Sequence, residues 1–147
     1  MTVTVSNYPT PEPHVYEFEL GLRWSDQDLL GHLNNAKIVT LAEEARVRFL
    51  AHLTAQQHSS EGEARRVVAR QVIDYHAQAM YAPAITMRVG VSRSGTKSYT
   101  LRHQGIQDGQ AVFTVDAVLV TLGEDGRSRA LTENERAELA AWMWPED

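Results

Sequence analysis

Between Asp26 and Asn35 the chain gathers Asp26, Asp28, Gly31, His32, Asn34 and Asn35, a density of polar groups that a connector does not need. A carboxylate such as Asp28 can serve as a general base or a nucleophile. His32 lies four residues further on and carries an imidazole that titrates near neutrality. The residues after the asparagines read as a helix, and a helix start offers unpaired N–H groups and a partial positive charge suited to a developing oxyanion. Asn34 or Asn35 can cap that helix by accepting an N–H of its first turn. Gly31 allows close backbone approach or a positive φ. Together they place an acid/base or nucleophilic group beside an electrophilic pocket. The competing interpretation is a loop whose polar groups only brace a helix start. Asp26 fits that bracing role, holding Arg23 or a loop N–H.

Two elements must position this loop. Before it, Tyr16, Phe18, Leu20, Leu22 and Trp24 alternate with Glu17, Glu19, Gly21 and Arg23, which predicts a strand with one buried face. After it, Ile38, Leu41, Ala42, Ala45 and Phe49 recur at helical spacing, widened by Val39, Leu50 and Leu53, which predicts a helix from about Ala36 to Leu53. Glu44 and Arg48 can pair on its other side. Residues 54–65 are polar and unpatterned and read as a loop. Four strand-like runs follow, at roughly 66–80, 84–93, 97–106 and 110–123. Ser94-Gly95 and Gln107-Asp108-Gly109 supply turns. Thr132-Glu133-Asn134-Glu135 has capping-box spacing and opens a last helix towards Trp142. The expected layout is α+β: a strand, a long helix, an antiparallel meander of four strands and a short closing helix, with one face of the sheet covering the long helix.

A chain of 147 residues can bury an ordinary core as one domain. Pro9, Pro11 and Pro13 mark residues 1–14 as an extended arm, leaving 15–147 as the domain. There is no cysteine, which excludes disulfides, thiolate metal sites and a cysteine nucleophile and fits a reducing, cytoplasmic setting. The first residues lack the pattern of a secretory signal, and no apolar run is long enough to span a bilayer, so no membrane role is expected. The net charge of −5 argues against a general nucleic-acid binder. His14, His52, His58, His76 and His103 show no metal-ligand spacing, and no metal is expected.

The strings Arg23-Trp24-Ser25-Asp26-Gln27-Asp28, Gly31-His32-Leu33-Asn34-Asn35-Ala36 and Glu43-Glu44-Ala45-Arg46 resemble the hotdog-fold acyl-CoA thioesterases of the 4-hydroxybenzoyl-CoA thioesterase-like family. Weaker echoes are Asp74-Tyr75 and Gly95-Thr96-Lys97-Ser98-Tyr99. The resemblance spans about residues 15 to 125. Asp28 through Ile38 is also similar to a string in plant acyl-carrier-protein thioesterases, with Leu30 where that group has asparagine and Ile38 where both groups usually have tyrosine. The resemblance implies a curved antiparallel sheet wrapped around one central helix, in subunits that pair as a homodimer or homotetramer. It implies hydrolysis of a coenzyme A thioester to a free acid without a cofactor.

By the same resemblance Asp28 is the catalytic aspartate, attacking the thioester carbonyl or activating water. The N–H near Asn35 polarises the thioester oxygen, and His32 either orients the carboxylate or water or only bonds to backbone. Gly31, Asn34 and Glu43 would border the substrate, Glu43 as a second carboxylate on the helix against the alternative of a solvated face. Lys97 matches a Lys-Ser-aromatic step whose basic turn binds nucleotide phosphates, with Arg93 beside it and Arg102 and His103 near. Three rival functions share the fold: an acyl-carrier-protein thioesterase, a non-catalytic acyl-binding protein, and a hydratase or dehydratase. The last uses a longer Asp-to-His spacing with an intervening proline, which Asp28 and His32 do not show.

Overall fold

The computed structural model describes residues 15–55 and 65–145; the arm 1–14 and most of the 54–65 loop fall outside them. The described chain forms β1 (Tyr16–Leu20), a 3-10 turn (Trp24–Asp26), α1 (Asn35–Ala55), β2 (Arg65–Tyr75), β3 (Ile85–Ser94), β4 (Ser98–Gln107), β5 (Gln110–Leu122) and α2 (Glu133–Ala140). The five strands make one antiparallel sheet in the order β1-β3-β4-β5-β2. This is the α+β hotdog architecture, with α1 lying across the inner face of the sheet.

The apolar periods explain the layers. Ile38, Leu41, Ala42, Ala45, Phe49 and Leu53 are all buried on α1. They meet the alternate residues Ile85, Met87 and Val89 of β3, Leu101 of β4 and Phe113, Val115 and Leu119 of β5. Two-residue alternation in the strands and 3.6-residue recurrence in the helix thus converge on one core. Asp108 and Gly109 both take positive φ in the β4–β5 turn. Thr132 Oγ1 accepts the Glu135 N–H and Glu135 Oε1 accepts the Thr132 N–H, the reciprocal cap expected for α2.

Three expectations need correction. The four later strands are not a simple meander, because β2 crosses over to pair with β5 and leaves β3 to β1. The β1 run stops at Leu20, and Trp24 is 75% exposed, because the chain turns into the 3-10 segment instead of continuing the sheet. The run read at roughly 66–80 is strand only from Arg65 to Tyr75, and the chain after it joins no regular element until β3.

The edges of the sheet differ. β1 is five residues long and carries Glu17 and Glu19, both exposed. Beyond its end, the edge of β3 is taken over by the C-terminal segment: the Val91 N–H donates to Trp142 O and the Trp144 N–H to Val91 O. Trp142 then turns inward onto Phe49, while Trp144 turns outward between the guanidinium groups of Arg88 and Arg102. The opposite edge, β2, spans eleven residues and exposes Val67, Val68, Val72 and Tyr75.

Candidate active site

The loop between the 3-10 turn and α1 is held by its own polar groups. The Arg23 N–H donates to Asp26 Oδ2 at 2.8 Å and the Arg23 guanidinium to Oδ1 at 3.2 Å, while the Asn34 N–H donates to Asp26 O at 2.8 Å. Burial pushes the Asp26 carboxyl up, but these Arg23 contacts outweigh it and hold the pKa below its ordinary value. Asp26 is therefore the brace of the loop. Gly31 has φ +80°, a conformation that side-chain-bearing residues rarely adopt, and it reverses the chain between Asp28 and His32. Asn34 Oδ1 accepts the Ala36 N–H at 2.9 Å and so caps α1.

Asp28 sits inside this frame. Its Oδ1 accepts the N–H groups of Leu30 at 2.9 Å and His32 at 3.0 Å, leaving Oδ2 without a partner among the described residues. The His32 N–H, opposed by slight desolvation and helped by the Leu30 N–H, holds the Asp28 pKa below its ordinary value. The carboxylate is ionised at neutral pH. His32 engages Asp28 through its backbone, and its ring makes no hydrogen bond among the described residues.

These groups open on a cavity of about 340 Å³ lined by Asp28, His32 and Asn35 together with the buried Leu33, Ile38 and Phe113. Asn35 is the first residue of α1, and no acceptor among the described residues takes its N–H. A carboxylate and a helix N-terminus thus face one space, the pairing that acyl transfer requires. Gly31 and Asn34 shape the loop without lining the cavity. Glu43 is exposed on α1 and also does not line it.

The far wall consists of residues that sequence patterning did not single out. Tyr75, His76, Ala77, Gln78 and Ala79 line the cavity just past the end of β2. This segment is strapped to the loop by the Leu33 N–H donating to Ala79 O at 2.7 Å and by contact of the Trp24 and Tyr81 rings at 5.4 Å. The His76 ring lies 2.8 Å from Thr114 Oγ1. Buried Gln107 holds the next residues, its Nε2 donating to Met80 O and Pro83 O and its Oε1 accepting the Met80 N–H. Asp74-Tyr75 was the one sequence signal near this wall.

Lys97 and Arg93 meet, with Gly95, Thr96 and Ser98, around a second cavity of about 430 Å³ at the β3–β4 turn. It is not next to the first. Ser98 and Gly105, which pairs with Phe113, are separated by roughly 23 Å of strand at about 3.3 Å per residue. Arg102 and His103 do not belong to the basic turn. Arg102 is engaged by both carboxylate oxygens of Asp116 at 2.9 and 3.0 Å, and His103 is fully buried on the inner face with Nδ1 at 2.9 Å from Val115 O. Among the described residues no three His, Asp or Glu side chains come together as metal ligands.

The chain matches the model of the thioesterase-like superfamily over residues 22–143. It is 30% identical over 123 residues to the uncharacterized protein YsmA of Bacillus subtilis (strain 168), covering 82% of each chain. Among solved structures it is similar to a predicted thioesterase from Bacillus stearothermophilus, with 25% identity, a TM-score of 0.78, and 90% of this chain and 99% of that one covered. It is also similar to a thioesterase from Thermus thermophilus in complex with coenzyme A and Zn, with 27% identity, a TM-score of 0.71, and 85% and 96% covered. The span of the family match takes in the whole loop, α1 and all four later strands, and the chain belongs to the thioesterase-like superfamily.

Proposed function

We propose that this chain is an acyl-CoA thioesterase that uses Asp28 to hydrolyse the thioester to a free acid and coenzyme A. The observation that carries this reading is the division of labour on Asp28: one oxygen is tied to the loop by two N–H groups, and the other is left unpartnered beside the N-terminus of α1. The free oxygen either takes a proton from an attacking water or attacks the carbonyl itself to form an anhydride that water then opens. In both routes the Asn35 N–H receives the charge developing on the thioester oxygen, and the sulfur leaves to take up a proton. Coenzyme A as the carrier is supported by the coenzyme A complex of the Thermus thermophilus relative and by the basic turn at Lys97 and Arg93.

A second chain completes this reading. Lys97 lies at the opposite end of the strands from the Asp28 cavity of its own chain. Two copies joined antiparallel along the long β2 edges would set the basic turn of one at the same end as the cavity of the other.

The test is Asp28→Asn. Its amide oxygen can still accept the Leu30 and His32 N–H groups, so the loop survives while the charge is lost. The expected outcome is a fall in kcat of about 10²–10⁴ on coenzyme A thioesters with unchanged folding. Asp26→Asn should instead act mainly on stability. Because the Asp28 pKa is lowered, the midpoint of the acid limb of wild-type activity should lie below the ordinary carboxylate value of 3.8. Near-normal turnover by a folded Asp28→Asn variant refutes the assignment.

A further inference from the structure

The cavity carries a second kind of information, about the acyl group instead of the chemistry. Among its lining residues Asp28, Leu30, His76 and Gln78 are exposed, whereas Leu33, Ile38, Ala79 and Phe113 are only 5%, 4%, 3% and 0% exposed. The buried wall is therefore apolar, and Phe113 is its most deeply buried member.

Phe113 holds its position because of the residue across from it. Gly105 pairs with Phe113 in the β4–β5 register, and the tip of the aromatic ring lies over the glycine. A Cβ built on Gly105 would stand 2.4 Å from both Cε1 and Cζ of that ring and 2.9 Å from Cε2. No side chain at 105 is compatible with this ring position. On its other side Phe113 is in register with Tyr75, which lines the cavity. A ring displaced from Gly105 moves towards Tyr75 and into the space where a ligand would lie.

We propose that the Phe113 ring, parked on Gly105, is the stop that sets how long an apolar acyl chain the cavity accepts. The inference rests on the thioesterase reading and adds the substrate class to it: an apolar acyl group, its carbonyl beside Asp28 and Asn35 and its far end against Phe113. Leu33, Ile38, Ala79 and Phe113 all belong to one buried core, and of the four only Phe113 faces a glycine whose added Cβ would displace it, so its ring is the adjustable part of the wall.

The experiment measures binding of S-alkyl coenzyme A thioethers of increasing chain length by calorimetry, which reads pocket depth without turnover. For the wild type, affinity is expected to rise about fourfold per methylene until the chain meets the ring, then fall. In Phe113→Leu the break should move to longer chains, and in Gly105→Ala to shorter ones. The double variant should return towards the wild-type break, because the smaller leucine tolerates the new Cβ; it also keeps the test informative if Gly105→Ala alone folds poorly. A break at the same length in all folded variants, or no thioether binding at any length, overturns the proposal. Hydrolysis of the matching acyl-CoA series by the wild type is scored separately. A movable break without hydrolysis would reject the thioesterase reading while leaving the stop in place, and hydrolysis with an immovable break would do the reverse.

Discussion

Charged and titratable side chains in this protein divide sharply by whether they face solvent or core. Lys97 is exposed at a turn, where the proposed phosphate contact would be made equally in ground and transition states. Lys97→Ala should therefore raise KM for a coenzyme A ester about fivefold with kcat little changed, roughly 1 kcal/mol, and the effect should shrink with added salt. A short thioester lacking the nucleotide should be hydrolysed equally well by both proteins; equal losses on both substrates would move the phosphate site elsewhere. His103 is the opposite case. Burial, the larger cause, together with nearby Arg46, lowers its pKa from 6.5 to about 4 despite the Val115 carbonyl. The unfolded chain thus binds an extra proton between about pH 6.5 and 4, so folding stability should decline as pH falls through that window, by about 3 kcal/mol in all. Urea midpoints measured from pH 7 to 4 test this, and His103→Phe should flatten the profile.

Residues 77–79 form one wall of the candidate site without belonging to a helix or strand, and the residues that follow them are held by Gln107 at the end of β4. Gln107→Leu would leave the Met80 N–H and the Met80 and Pro83 carbonyls without their partner. A loss of about 2–3 kcal/mol in stability and a raised KM are the expected outcomes, read by denaturant titration and steady-state kinetics. This wall also marks the limit of what local sequence reveals. Periodicity located α1 and β3 to β5, since a stripe such as Ile38, Leu41, Ala45 and Phe49 has only one way to bury itself, but the runs read up to Trp24 and over 66–80 outlast their strands, which end at Leu20 and Tyr75. The loop was legible because Asp28, Gly31, His32 and Asn34 lie within seven consecutive positions and bond mainly to one another. Strand order was not legible: β2 has exposed residues on both faces, so its pattern carries no record of β5 beside it. Nor was the far wall, whose Tyr75, His76 and Phe113 come from two distant stretches of chain and share no motif. His103 was misread with the basic turn because proximity in sequence hid the alternation that sends it inward.

Among the described residues, one sheet wrapped on one helix leaves the long β2 edge and the apolar Val67, Val68 and Val72 uncovered. A pair of chains joined there should show, in light scattering at micromolar concentration, a mass twice the 16.5 kDa of one chain; a single-chain mass would refute the paired site. The other side of the sheet gives this pairing its limit. β1 offers only five residues bearing two exposed glutamates, and the edge of β3 past β1 is already occupied by the backbone around Met143. A second copy meeting β2 with its own β2 would close the longer of the two edges of the described sheet on each chain, leaving at either end only the short, glutamate-bearing β1. Such a pair would present no long apolar edge to a third chain, and so would resist growth into a filament at high concentration.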